Sequence, residues 1–349
     1  MVAEQSGRAR SATIFDVARL AGVSHQTVSR VINDLPNVRP ATRVKIEEAI
    51  RQLGYTPSPA ARAMVTRRSR IIGVITIGAA DYGPSSTTLH VNEAAQEARY
   101  SVLMVSILSA TNVRVREAIE SLLRQNVEAI VIISTHRSIL DTAYQLEIGV
   151  PLITVDPSAP PGRDSVSIDQ FSGARGAVRH LIELGHHEIG HIAGPSDSPD
   201  ALERVRGWRS ELAEHSLVAR DPAIGDWTAL SGYHIGLSIP DHALTTAYFV
   251  SNDQMALGLI HALIERGSRV PEDISVVGFD DIPEAEHFQP PLTTVRQDFE
   301  ALGHLIMNRV LKTLTNTDFT SENPIVAPLI TRSSTAQLKS LTRFKARTA

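Results

Sequence analysis

Apolar residues recur with two different periods along this chain of 349 residues, and the change from one to the other divides it. In residues 13–21, Ile14, Val17, Ala18 and Ala21 fall at i, i+3, i+4 and i+7, the single stripe of a short helix. Thr13 with Asp16 three residues on forms a capping box at its start. Gly22-Val23 supplies a tight turn, and Ser24 caps a second helix over 25–33 with Val28, Val31 and Ile32 facing inward. Pro40, at an N1-like position, opens a third helix to residue 53, whose Ile46, Ala49, Ile50 and Leu53 close a small core. From Ile71 onward the period changes. Short β-branched runs at 71–77, 102–107, 129–133, 152–155, 189–193, 247–250 and 275–279 alternate with amphipathic stretches at 91–99, 113–123, 173–184, 201–214, 253–265 and 299–314. Strand and helix in alternation predict doubly wound parallel sheets, and a body of this length predicts two such lobes.

The head is a helix-turn-helix pattern, in which a second helix enters the DNA major groove and shows its first-turn side chains to base edges. An αα-hairpin with a glycine turn is also a common structural unit, so the exposed chemistry has to separate the two readings. That chemistry fits DNA: Gln26 pairs bidentately with adenine, Arg30 with guanine or a phosphate, and His25 donates or accepts. Charge points the same way. Residues 1–70 hold 12 Lys and Arg against 5 Asp and Glu, net +7, which leaves −11 on the rest of a chain whose total is −4. A basic head attracts a polyanion, and an acidic body stays off it.

Between head and body, Ser58 caps, Pro59 starts and three alanines favour a helix over 58–65. Nucleation makes so short a helix marginal by itself. It is expected to fold only when docked on DNA and on the same segment of a second subunit. Residues 66–70, Thr-Arg-Arg-Ser-Arg, read as a plain linker.

Other classes fall away on composition. No apolar run approaches the roughly 18 residues of a membrane span, and the polar N-terminus has no apolar centre of a signal peptide, so a cytoplasmic protein is expected. The chain has no cysteine, which excludes disulfides, thiolate catalysis and cysteine-ligated zinc. An enzyme reading has only His186, His187 and His191, or Asp280-Asp281, to start from. The histidines straddle a helix end and a strand start and share no helix face, and HExxH is absent. Adjacent aspartates at a strand end point to opposite sides, a poor placement for a general acid and base. The chain is therefore read as a non-enzyme without metal or cofactor. Ligands of such sheets sit at strand carboxyl ends, where Asp156, Asn252-Asp253 and Asp280-Asp281 form a polar set suited to hydroxyl groups.

Longer motifs carry a family resemblance. In the head, Thr13-Ile-Phe-Asp-Val-Ala, Ala21-Gly-Val-Ser, Thr27-Val-Ser-Arg-Val-Ile-Asn and Gly54-Tyr-Thr-Pro resemble the signature of the LacI/GalR family of repressors. In the body, Arg206-Gly-Trp, Asn252-Asp-Gln-Met-Ala-Leu-Gly, Asp273-Ile-Ser-Val-Val-Gly-Phe-Asp-Asp and Pro291-Leu-Thr-Thr-Val-Arg-Gln-Asp-Phe extend it over nearly the whole chain. The resemblance implies a body similar to a periplasmic binding protein, with crossovers near residues 168, 298 and 327. The expected organisation is then a helix-turn-helix domain at 1–57, a hinge helix and linker at 58–70, an N-terminal lobe at 71–168 and 299–326, a C-terminal lobe at 169–298 and 327–335, and a tail at 336–349.

The matching positions imply that His25, Gln26 and Arg30 face bases, that Thr13, Ser24, Thr27 and Asn33 contact phosphates, and that Ser29 belongs to the same DNA-binding set. Ala61 and Met64 of the hinge would enter the minor groove, with methionine as the wedge between base steps. The effector positions are Asp156, Asp200, Arg204, Trp227, Asn252, Asp280 and Gln297, with Pro84 and Phe299 as apolar walls. Such a set suits a sugar, whose carbon face stacks on Trp227 and whose hydroxyls meet carboxylates, amides and a guanidinium. A galactoside-binding member of the family has an arginine where this chain offers Ser109 or Ala110, and a serine where it has Asp200.

The function implied is a repressor controlled by a small sugar or glycoside acting as inducer. A non-sugar or corepressor ligand in the same family is the runner-up, and a periplasmic sugar receptor, which has no use for the basic head, stands behind it. Leu338, Leu341 and Phe344 lie among Lys339, Arg343, Lys345 and Arg347 without a sustained heptad, so a homodimer on a near-palindromic operator is expected.

Overall fold

The computed structural model describes residues 12–32, 35–56, 68–77, 81–107, 111–160, 162–240, 245–317 and 323–338. The expectations for Asn33, for the 58–65 hinge with Ala61 and Met64, for Ser109 and Ala110, and for the tail beyond residue 338 lie outside the described residues. The chain forms two compact units, Met1–Arg70 and Ile71–Ala349.

The head consists of α1 (Ile14–Ala21), α2 (His25–Ile32) and α3 (Pro40–Leu53). Its capping box is present: the Thr13 hydroxyl accepts from the Asp16 N–H, and an Asp16 carboxylate oxygen accepts from the Thr13 N–H at 2.9 Å. Gly22 ends α1 at φ +66°, a left-handed conformation that glycine adopts without a Cβ penalty. Val17, Val28 and Ile46 are wholly buried, with Ala18, Val31 and Ala49 around them. Ile32, Ile50 and Leu53 pack on that cluster but stay partly exposed.

The body holds two sheets. One takes β1 (Ile71–Ile77), β2 (Ser101–Ile107), β3 (Ala129–Ser134), β4 (Leu152–Val155) and β5 (Ser165–Val166), all parallel, in the order β2-β1-β3-β4-β5. The other takes β6 (Ile189–Ala193), β7 (Ala223–Ile224), β8 (Ala247–Val250), β9 (Ser275–Asp280) and β10 (Thr293–Arg296), parallel, with β11 (Leu329–Ile330) antiparallel at its edge. Its order, β11-β10-β9-β8-β6-β7, repeats the first topology. Helices α4 (Tyr82–Glu97), α5 (Asn112–Arg124) and α6 (Arg137–Tyr144) accompany the first sheet, and α7 (Gln170–Glu183), α8 (Pro199–Glu214), α9 (Ala229–Ser238) and α10 (Asp253–Glu265) the second. After β10 the chain returns through α11 (Phe299–Thr315), which packs on α4, before crossing back to β11. Ile168 and Ile325 pair side by side where two crossovers run together.

Three helices depart from the sequence pattern, of which α6 (Arg137–Tyr144) falls in a stretch where the pattern shows none. The pattern starts α4 at residue 91, but it begins at Tyr82, because Gly83 and Pro84 fall in the first turn, where proline costs no helical hydrogen bond. The pattern shows no helix at α9, whose Gly232 and Gly236 weaken it. Those glycines are instead its packing surface: a Cβ on Gly232 would stand 2.1 Å from the Met255 carbonyl oxygen, and one on Gly258 of α10 1.8 Å from that of Ala229. The two backbones approach so closely that only glycine fits.

Candidate functional site

On the head, Val28 and Val31 anchor α2 and leave its other faces free. His25, Gln26 and Arg30 are exposed, and Thr27 and Ser29 are half-buried. Ser24 is committed locally: its hydroxyl accepts from the Thr27 N–H at 3.2 Å and lies 2.9 Å from the Thr27 hydroxyl. Thr13 is likewise held, 2.7 Å from Asp16. The exposed Phe15 ring rests 5.2 Å from that of His25 and props it. The result is a short helix with amide dipoles at its start and three exposed polar side chains along it, a surface that offers positive potential to phosphate and donors and acceptors to base edges.

In the body, the carboxyl ends of both sheets aim at one cleft, as the switch-point rule requires. The N-terminal lobe contributes Asp81, Tyr82, Gly83, Pro84 and Thr87 after β1, and Ser134 and Thr135 at the end of β3. The C-terminal lobe contributes Asp200 and Arg204 after β6, Trp227 after β7, Asn252 after β8, Asp280 ending β9 and Gln297 after β10, with Gln170 opening α7. Counted out to open solvent, the cavity holds ≈ 690 Å³.

Gln170, Arg204, Asp280 and Gln297, each less than a tenth exposed, are joined by one network, while the equally buried Asn252 is held apart from it by Trp227, Gln254 and Met255. Arg204 donates through Nε to Gln170 Oε1 at 2.9 Å and through Nη1 to the Ser251 carbonyl. Gln170 donates to Gln297 Oε1 at 2.8 Å, and Gln297 to Asp280 Oδ1 at 2.7 Å. The guanidinium returns to Asp280 at 3.8 Å and lies over the Phe279 ring, 3.9 Å from its centroid. Buried polar groups persist when satisfied in this way, and a closed network fixes every rotamer in it.

Trp227 is placed by strain and by a gap. Its φ is +74°, unusual for so bulky a residue, and Asn252 Nδ2 holds its carbonyl at 2.9 Å. A Cβ on Gly194 would stand 2.2 Å from the indole, so glycine there gives the ring its room at the strand end. Its Nε1 is buried without a partner among the described residues. Burial pushes the Asp280 carboxyl up to about 6, against the pull of Arg204. Burial also raises Asp253, behind the cleft, well above its ordinary value, with the Asp280 charge adding to the effect.

Of the sequence-derived effector set, Pro84, Asp200, Arg204, Trp227, Asn252, Asp280 and Gln297 meet around this cavity. Two do not line it. Asp156 is buried and consumed by its neighbours: Tyr144 Oη donates to it at 2.9 Å, and the Ser158 N–H and hydroxyl each donate at 2.9 Å. Phe299 is buried behind the wall, edge-on to Tyr82 with centroids 5.7 Å apart, so Tyr82 takes the apolar position in its stead. Asp81, Tyr82, Thr87, Gln170, Ser134 and Thr135 went unnoticed in the sequence. For Gln170 there was a signal, a glutamine opening a helix next to the crossover at residue 168.

The groups behind an enzyme reading are occupied otherwise. His186 sits between the Thr246 and Ser275 hydroxyls at 2.8 and 3.1 Å, and His191 is stacked on Phe249 with centroids 4.7 Å apart. Asp281 turns away from Asp280 to Arg296 and Arg332, at 2.6 and 2.7 Å. Among the described residues no cluster of His, Asp and Glu could hold a metal, and no helix is long and apolar enough to cross a membrane.

Two family models match the chain: bacterial regulatory proteins of the lacI family over residues 13–58, and a periplasmic binding protein-like domain over 178–335. The chain is 36% identical to the lactose operon repressor of Escherichia coli over 307 residues, covering 86% of this chain and 84% of that one. It is 35% identical to the transcriptional regulator CelR of Thermobifida fusca, covering 87% and 93%. Among solved structures, the lac repressor dimer bound to operator and the anti-inducer ONPF superposes with a TM-score of 0.84 at 33% identity, covering 94% of this chain and all of that one. The CelR–cellobiose complex superposes with a TM-score of 0.67 at 31% identity, covering 93% and 99%. A helix-turn-helix head of matching signature, a two-lobed body of matching topology and identity across most of the length lead to one conclusion: the chain belongs to the lacI family of DNA-binding transcriptional regulators.

Proposed function

We propose that this regulator is a cytoplasmic repressor whose operator affinity is set by a small sugar or glycoside held between the two body lobes, acting as an inducer. The observation that carries this reading is the cleft: an indole plate facing a ring of buried, mutually fixed amides, a guanidinium and a carboxylate. A pyranose presents an apolar face to the indole and hydroxyls in planar pairs to the others. Relatives point the same way, since CelR has been solved with cellobiose and the lac repressor with ONPG. On the DNA side, His25, Gln26 and Arg30 read bases while Thr13, Ser24, Thr27 and Asn33 meet phosphates, with Ser29 in the same DNA-binding set. Ala61 and Met64 keep the minor-groove role that the family resemblance implies. A homodimer on a near-palindromic operator follows from twofold symmetry. To move operator affinity, the ligand must bind two conformations of the body unequally.

Calorimetry against a panel of mono- and disaccharides tests the cleft. Trp227→Ala is expected to weaken the best binder by about 10-fold or more, since loss of a stacking aromatic costs roughly 1–3 kcal/mol. Binding that ignores the substitution overturns the stacking proposal. Selection of bound duplexes from a random pool, followed by release with the same panel, is expected to return a near-palindrome and its effector together.

A further inference from the structure

Two carboxylates facing the cleft take no part in its network. Asp81 precedes α4 at the N-cap position, yet its side chain makes no capping bond. Asp200 lies in the first turn of α8, where Ser198 already supplies the capping oxygen to the Ala201 N–H. Neither carboxylate has a hydrogen-bond partner among the described residues, although the five buried polar side chains beside them are all bonded. One stands on each lobe, so a ligand between the lobes lies between them. Burial raises the pKa of both, as expected for groups enclosed without donors.

The charge lining the cavity is lopsided. Asp81, Asp200 and Asp280 face one cation, Arg204, whose Nε and Nη1 are already given to Gln170 and Ser251 and whose Nη2 looks to Asp280. His136, near Asp81, is turned to Asp197 at 3.3 Å. An anionic ligand would therefore add a charge to three carboxylates and meet no uncommitted cation in the lining, whereas each open carboxylate accepts hydroxyl hydrogens from a neutral polyol.

Resting on the sugar reading above, we propose that Asp81 and Asp200 are ligand-binding carboxylates that restrict the cleft to an uncharged polyhydroxylated ligand and shut out its phosphorylated or carboxylated counterpart. The test is titration of the full chain, by calorimetry and by tryptophan emission, with glucose, galactose, cellobiose and lactose beside glucose 6-phosphate, galactose 6-phosphate, glucuronate and galacturonate. At least one neutral probe is expected to bind, and its anionic counterpart to bind about 100-fold more weakly or not at all. Asp200→Asn and Asp81→Asn each remove a charged acceptor. Each is expected to weaken the neutral probe by about 10-fold and to narrow the neutral-to-anionic ratio by a similar factor. Circular dichroism confirms folding, and Asp200→Ser serves as a second variant, because misfolding abolishes all binding and does not selectively narrow the ratio. An anionic probe that binds as tightly as its neutral partner overturns this inference and leaves the sugar reading standing, as do variants that leave both affinities within about twofold. Silence across the whole panel overturns the sugar reading and this inference with it.

Discussion

In the head, His25, Gln26 and Arg30 stand in water along one short helix, whereas in the body Gln170, Arg204, Asn252, Asp280 and Gln297 are each less than a tenth exposed. The same residue types therefore carry different energies in the two places. An exposed arginine costs nothing to keep until it meets DNA, and its contacts are made at the expense of water at that moment. A buried arginine has already lost its water and must be compensated inside the fold, so its partners are fixed before any ligand arrives. The head is a surface with a small core beneath it, and the body is a core with a cavity cut into it.

Substitutions separate the two regimes, beginning with the largest effect. Arg204→Ala strands Asp280 and Gln170 and should cost about 3–5 kcal/mol of folding stability, measured by urea unfolding of the body transition. A loss below about 1 kcal/mol would mean that the network is dispensable. Arg30→Ala in the head should do the reverse: unfolding shifts by less than about 0.5 kcal/mol while operator binding falls by about 1–3 kcal/mol, read by anisotropy on a selected duplex.

The body should also carry a pH dependence of its own. His191 is buried between Phe249 and Trp208, and burial lowers its pKa to about 4 from the usual 6.5. Its folded pKa lies below its unfolded one, so its contribution is intact above pH 6.5 and is lost as pH falls toward 4. Asp280, raised to about 6, has the opposite sign: its contribution is present below about 4 and lost as pH rises through 6. The two oppose each other in one window, so the comparison must be a difference. Relative to His191→Phe, the native chain should lose about 2 kcal/mol on going from pH 7 to pH 5, and parallel curves would contradict the assignment. The smallest effect belongs to the head, where Thr13→Ala removes the cap of α1 for about 1 kcal/mol, seen as a lowered melting temperature of the head.

The difference between the regions also explains what was legible in the sequence. Head helices and body strands announce themselves by period, because each buries one face of a regular element. Segments built on other physics did not. Helix α9 is held by glycines pressed against α10, which reads as a weak helix in sequence and a strong contact in space. The two-residue strands β5, β7 and β11 are too short to show a period. In the site, residues at strand ends of the C-terminal lobe were readable from motifs. Asp156 sits at a strand end by the same logic, yet Tyr144 and Ser158 claim its carboxylate, and nothing local in the sequence reports a partner twelve residues away. Asp81 and Tyr82 were missed for the opposite reason: they open a helix whose apolar stripe begins further on.

The account's central claim is that occupancy of the body cleft decides how well the head holds its operator. The most direct measurement titrates the best-binding sugar into the protein on its selected duplex, for the native chain and for Trp227→Ala, and follows operator affinity by anisotropy at fixed salt. The account predicts a change of about 10-fold or more in the native chain, with the midpoint moved to about 10-fold or more higher sugar in the variant, which should still bind the duplex. Operator affinity that is the same with and without saturating sugar, in a native chain shown by calorimetry to bind that sugar, would contradict it.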